Sequence, residues 1–241
     1  MNVHGLSVIE LRQYTLRSGT LGRFVHLFDE KLARPQAAAG AIVFGLYRDL
    51  DDPDRVVWLR GFENLSARVT ALETFYGGEA WRESRDAANA CIVDSDNALM
   101  LVPVRLEGGT ESHPWCAGLV RIELIDVALV DADEFQRVFQ TRIAARIENA
   151  GGLVSAAFVS SLVANGFPRL PLRADRCFVW VTAFPDPAAE RRFDHDLRAQ
   201  SGWRDDLPAG VLPAFQRKPE VLRLEPLVTY LGGRAEHGMP D

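Results

Sequence analysis

The segment VIELRQY, Val8 to Tyr14, sets a carboxylate (Glu10), a guanidinium (Arg12) and a phenol (Tyr14) at every second position, the spacing that puts side chains on one face of a β-strand. Further along, VVWLRGF does the same with Trp58, Arg60 and Phe62. Where these two strands are neighbours, Glu10, Arg12, Tyr14, Arg60 and Trp58 form one cluster, with a base, two cations, a phenol and an aromatic wall. Glu10 and Tyr14 are the candidate catalytic groups, able to move a proton; Arg12, Arg60, Trp58 and Phe62 are the candidate ligand-binding groups. Two cations against one carboxylate leave about one positive charge over, for which an anion is the natural complement. The same residues admit a second reading, a satisfied internal ion network that needs no ligand, because buried charges require partners in either case.

The elements that must position this cluster are legible. SVIELRQYTL alternates as a strand; TLGRFVHLFDEKL places Leu21, Phe24, Val25, Phe28 and Leu32 on one helical stripe; AIVFGLY and RVVWLRGF are strands around the turn RDLDDPD. NLSARVTALETFY, with Leu65, Val69 and Leu72 as its apolar stripe, and EAWRESRDAANA are helical, and ALMLV is a fourth strand. In such a β-α-β-β-α-β order the first and third strands are adjacent.

A second copy follows. Trp58 and Trp180, Phe62 and Phe184, and Trp81 and Trp203 are each 122 residues apart, and VIELRQYTL matches RIELIDVAL at a displacement of 113. The difference of about nine residues falls in ANGFPRLPLRADR, 164–176, whose Gly, Pro and charges mark a surface loop. In the second copy a helix starts at Asp131 to Asp133 and ends at Gly151-Gly152, and another has Asp186 as N-cap and Pro187 at its first position. That alignment sets Glu123, Ile125, Val127 and Thr182 against Glu10, Arg12, Tyr14 and Arg60, concentrating the polar set in the first half. The expected fold class is α+β: tandem ferredoxin-like modules (β-α-β-β-α-β twice) forming a pseudo-symmetric dimeric α/β barrel within one chain. The expected bounds are a first module at 6–105, a linker at 106–118, a second, diverged module at 119–230 and a flexible tail at 231–241.

Composition removes several function classes. A formal charge of -6 and a pI near 5.4 argue against nucleic acid, and no apolar run approaches the ~20 residues of a membrane span. Neither a signal peptide nor a presequence opens the chain, so a cytoplasmic location is expected. Cys91, Cys116 and Cys177 lie far apart, and His4, His26, His113, His195 and His237 show no metal-ligand spacing; no metal and no cofactor is implied. The carboxylates of DSDN, with Asp94 and Asp96, are a turn signature ahead of a strand.

Glu10, Arg12 and Tyr14 in ELRQYTLRSG, then Gly19, Gly45, VVWLRGF, FYGGEAW and DSDNALML resemble the NIPSNAP family in its bacterial form, clearly through the first copy and faintly through the second. The resemblance implies the dimeric α/β-barrel fold group and no agreed reaction or catalytic residues. The third strand departs from members that carry His-Leu-Trp where this chain has Trp58-Leu59-Arg60.

Two function classes remain. One is a small-molecule binding protein or cofactor-free enzyme acting on an aromatic or anionic compound in the first-half barrel cavity. The other is a non-catalytic scaffold, expected to expose an apolar patch around FGLY or around NGFPRLPL, with Phe167, Leu170 and Leu172. A homodimer is compatible with either.

Overall fold

The computed structural model describes residues 5–106, 115, 117–200, 202–231 and 234–237; most of the expected linker, together with His4, His113 and Cys116, lies outside them. The protein is a mixed α/β structure of two compact units. The first comprises Met1–Val102, Ser161–Ala174 and Glu225–Asp241, and the second Pro103–Ser160 and Asp175–Leu224.

The first unit opens with β1 (Val8–Leu16), followed by an uninterrupted helical stretch: α1 (Leu21–Leu27), a π-helical segment (Phe28–Ala33) and α2 (Arg34–Ala38). Next come β2 (Ile42–Asp49), β3 (Arg55–Phe62), α3 (Leu65–Gly77), α4 (Glu79–Asn89), the short β4 (Ile92–Asp94) and β5 (Ala98–Val104). The strands lie in the order β2-β3-β1-β5, with β4 also on β1. β1 and β3 are antiparallel, with Glu10 opposite Arg60 and Arg12 opposite Trp58, as the alternation requires.

Both faces of β1 are buried, so neither runs against water. The face bearing Tyr14 and Trp58 packs under the helices, against Phe24, Phe28, Leu32 and Phe75. Phe24, Phe28 and Leu32 fall on the expected stripe. α3 does not follow its expected stripe: Leu65 is exposed, and the buried residues are Arg68, Ala71, Leu72 and Phe75. A charged residue therefore occupies the buried line of that helix.

The second unit contains β6 (Leu119–Asp126), α5 (Ala132–Val138), a π segment (Phe139–Ile143), α6 (Ala144–Asn149), β7 (Leu153–Ser160), β8 (Cys177–Phe184), α7 (Pro187–Ala199) and the start of β9 (Glu220–Leu231). Here the strand order is β7-β8-β6-β9. Asp131 and Asp186 cap α5 and α7, their carboxylates accepting from the Glu134 and Ala189 amides at 2.7 Å, and Pro187 takes the first turn of α7, where no N–H is needed.

Register corrects the alignment of the two halves. β6 pairs with β8 so that Glu123 lies opposite Trp180 and Arg121 opposite Thr182. Trp180 stands 122 residues after Trp58, so the partner of Trp58, Arg12, corresponds to Glu123 at a displacement of 111, and Glu10 corresponds to Arg121. The same 111 relates Phe28 to Phe139 at the start of each π segment, Gly40 to Gly151 at a positive φ, and the β2 bulge at Val43/Gly45 to the β7 bulge at Val154/Ala156. The displacement of 113 came from the shared string Ile-Glu-Leu and is two residues out. Trp81 and Trp203 do not correspond either: Trp81 is on α4, whereas Trp203 lies in turns after α7, packed on Phe215 with ring centroids 5.1 Å apart.

Segment 164–176 is not simply a surface loop. Ser161–Ala174 belongs to the first unit, tied to β5 by the Ser161 amide on the Met100 carbonyl (2.7 Å) and the Arg173 amide on the Ala98 carbonyl (2.8 Å). Phe167 is buried against Val8, Phe62, Leu72 and Met100. Of the two apolar patches expected of a scaffold, FGLY is covered, with Phe44, Leu46 and Tyr47 buried, whereas in the other Phe167 is buried, Leu170 and Leu172 are half-buried, and the nearby Leu162 and Val163 are exposed.

Candidate functional site

Glu10 lies at the centre of the first unit's helix-side sheet face, and three guanidinium groups reach it. Arg12 Nη1 donates to Oε2 at 3.0 Å, Arg60 Nε and Nη2 to the same oxygen at 2.9 and 2.7 Å, and Arg68 Nε to Oε1 at 2.6 Å. All four side chains are fully buried. The strand alternation placed the first three; Arg68 comes down from α3, a residue that hydrophobic periodicity passes over. Its phase, four residues before Leu72 and seven before Phe75, is the signal that marks it.

The remaining guanidinium N–H groups are largely taken up by neighbours. Arg12 Nε donates to Tyr14 Oη (3.1 Å) and Nη2 to the Ser95 carbonyl (3.2 Å). Arg60 Nη1 donates to Gln36 Oε1 (2.7 Å), while Arg68 donates to the carbonyl and, at 3.0 Å, the side-chain oxygen of Asn165. Ser95 is held by the DSDN turn, where Asp94 Oδ1 accepts from the Asp96 amide at 2.9 Å. Three cations surround one carboxylate, so two positive charges are left over in this cluster.

Burial drives the Glu10 pKa upward, but Arg60, Arg12 and Arg68 outweigh it and hold the carboxyl well below its usual range. Burial likewise opposes the charged form of Arg12, and Tyr14 and Glu10 overcome it, raising the pKa. With both oxygens accepting from guanidinium groups, Glu10 is spoken for as an anion and is a poor base at neutral pH.

Between this sheet face and the helices lies a cavity of about 270 Å³. Phe24, Phe28, Trp58, Phe75, Tyr76 and Trp81 form its aromatic walls, and Phe167, Arg169 and Leu170 contribute from the 161–174 segment. Phe28 and Trp58 meet edge to face with centroids 5.1 Å apart, as do Tyr76 and Trp81 at 4.9 Å. Tyr14, Gln36 and Ser95 line it as well. The cavity is therefore a chamber under the helical layer of one unit rather than the barrel interior expected from sequence.

Glu10, Arg12, Arg60 and Phe62 do not line it. Phe62 packs with Val8 and Phe167, under the Arg60 guanidinium at 5.6 Å. The ion cluster instead meets the cavity through its neutral partners, Tyr14, Gln36 and Ser95. Trp58 adds a further polar group, since its indole Nε1–H is buried and has no hydrogen-bond partner among the described residues. Trp180 Nε1 shares that condition in the second unit, where Trp180 stacks with Phe139 at 5.3 Å.

The second unit carries an ion cluster with the sign exchanged at three positions, while uncharged Thr182 stands where the first has Arg60. Arg121, at the position of Glu10, meets Glu123 at 2.8 Å, Asp194 at 2.7 Å and Glu190 at 3.6 Å. Glu190 stands 122 residues after Arg68, and it also bonds Arg223 at 2.6 Å. The polar set is thus not confined to the first half. A central charge ringed by opposite charges is a packing device of both units, and the two units differ in what lies beside it.

Residues 9–106 match the NIPSNAP family model. The NIPSNAP span holds Glu10, Arg12, Tyr14, Gln36, Trp58, Arg60, Arg68, Tyr76 and Trp81; Asn165, Phe167, Arg169 and Leu170 come from beyond it. No curated protein sequence matches the chain. Among solved structures, an "anthrone oxidase-like protein" is similar over 100% of this chain and 99% of its own, with a TM-score of 0.57 and 10% identity. A protein named "putative monooxygenase" from Fusobacterium nucleatum is similar over 98% of this chain and 96% of its own, with a TM-score of 0.52 and 10% identity. A NIPSNAP-like domain protein from Burkholderia xenovorans matches 43% of this chain and 90% of its own, at 24% identity and a TM-score of 0.39. At these identities the two full-length likenesses describe fold and not activity.

Proposed function

We propose that the chain consists of two ferredoxin-like modules in tandem, near 6–105 and 119–230, and that the first binds a small planar aromatic or anionic molecule. The observation that carries this reading is the aromatic chamber of about 270 Å³, provided with polar groups that the fold leaves for a ligand: the Trp58 Nε1–H and the phenol of Tyr14. At ~30 Å³ per water, the space equals about nine waters, the scale of a one- or two-ring compound. The strand orders of the two units and their shared 111- and 122-residue spacings support the tandem reading.

As a cofactor-free enzyme, the site would use Tyr14 to exchange a proton with the ligand. Arg12 would act through Tyr14, and Glu10 would anchor the three guanidinium groups. Arg12 and Arg60 would set the electrostatics without touching the ligand directly. The scaffold reading loses FGLY and Phe167, which are buried, and keeps the exposed Leu162 and Val163 of the 161–174 segment.

Titration of the wild-type protein with one- and two-ring aromatics, followed by tryptophan fluorescence, tests the reading. Trp58 and Trp81 both line the cavity, so a ligand there should quench emission saturably, and Ala88→Leu, which fills the chamber from α4, should abolish the quenching. Saturable quenching that Ala88→Leu leaves unchanged would place the ligand elsewhere.

A further inference from the structure

We infer that the cavity selects the ionised form of a phenol or enol, holding its oxyanion on Tyr14 and Trp58. The inference rests on the small-molecule reading of this cavity and adds the chemical class and charge state of the ligand.

Tyr14 Oη already accepts from Arg12 Nε, so its own O–H proton is left for the cavity. Gln36 Oε1 accepts from Arg60, which fixes the amide orientation and turns its NH₂ away from that guanidinium. Trp58 Nε1 is donor only, lies in a side chain 2% exposed, and has no partner among the described residues. The carbonyl of Ser95, another lining residue, accepts from Arg12 Nη2. Tyr14 and Trp58 thus bring two hydrogen-bond donors to the lining, and the group that satisfies both with one atom is an anionic oxygen.

Charge points the same way. Two unbalanced guanidinium charges lie behind these donors; for the lining phenol Tyr76 burial raises the pKa while Arg60 and Arg12 work to lower it, and a ligand oxyanion that also takes up the Tyr14 and Trp58 donors gains what Tyr76 lacks. The aromatic walls require the anion to sit on a flat, apolar body. A phenolate or enolate combines the two, and it forms simply by release of the phenol's proton to solvent. The titratable side chains in the lining are Tyr14 from β1, Tyr76 from α3 and Arg169 from the 161–174 segment; α4 and the π segment contribute none.

p-Nitrophenol, whose ionised form absorbs visible light, and nitrobenzene, its counterpart without an acidic proton, make the test. With the wild-type protein, bound p-nitrophenol should be ionised at pH values where the free compound is mostly neutral, and the phenolate should bind roughly tenfold more tightly than the phenol. Trp58→Phe should weaken phenolate binding by roughly tenfold more than it weakens nitrobenzene binding, which senses only the loss of ring surface. Equal affinity for the two forms, or p-nitrophenol bound as the neutral phenol, overturns the oxyanion site while leaving the binding reading intact. If neither compound binds, both fall.

Discussion

Arg68 Nε on α3 lies 2.6 Å from Glu10 Oε1 on β1, and both side chains are fully buried. This one contact ties the helical layer to the sheet, and through Asn165 it ties the 161–174 segment to both. It makes Arg68 a member of the cluster.

Arg68→Ala should therefore be costly. It removes one partner of a buried ion pair and leaves the Asn165 acceptors without their donor, an expected loss of about 3 kcal/mol or more in urea unfolding. A loss below ~1 kcal/mol would show that the cluster contributes little to stability.

Glu10 should give the protein an acid-sensitive stability. Its folded-state pKa is depressed below the usual 4.5, so its contribution is fully present above that value and is lost as the pH falls toward the lowered folded-state value. Unfolding free energies from pH 6 down to 3 should fall more steeply in wild type than in Glu10→Gln, which will itself be less stable at neutral pH.

Phe167→Ala tests the structural role of the inserted segment. Phe167 is 5% exposed and packs with Val8, Phe62 and Met100, so the substitution should cost about 3 kcal/mol. It should also open one side of the cavity and weaken any ligand there. A cost under ~1 kcal/mol would mean that the segment does not dock as described.

Much of this was readable beforehand, for a definite reason. Strand alternation has a period of two, so Glu10, Arg12 and Tyr14 had to share a face, and the order of elements made β3 the neighbour that brings in Trp58 and Arg60. Arg68 was missed because apolar periodicity does not register a charged side chain on a buried helical line. Phe167 is expected on an exposed patch and Asn165 carries no expectation, because their contacts depend on where a loop docks, which local turn chemistry does not encode. The β6 alignment slipped by two because a short identical string outweighed the hydrogen-bonding register; since two residues is one strand period, the faces remained right while the charges were misassigned.

Trp58→Phe separates stability from binding. The indole N–H has no hydrogen-bond partner among the described residues, so none is left unsatisfied, and the cost should be only that of the lost ring volume, about 1–2 kcal/mol. Chemical denaturation of the variant checks this. A cost of several kcal/mol would mean that the ring's packing, rather than a reserved donor, explains why tryptophan occupies this position.

The central claim is that the aromatic chamber of the first unit is a ligand site, and a crystal structure of the protein soaked with p-nitrophenol tests it most directly. The expected result is a flat density between Phe28, Trp58 and Trp81, its phenolic oxygen within hydrogen-bonding distance of both Trp58 Nε1 and Tyr14 Oη. A chamber holding only ordered water at saturating compound, or a ligand bound with its nitro group inward and its hydroxyl at the mouth, would contradict it.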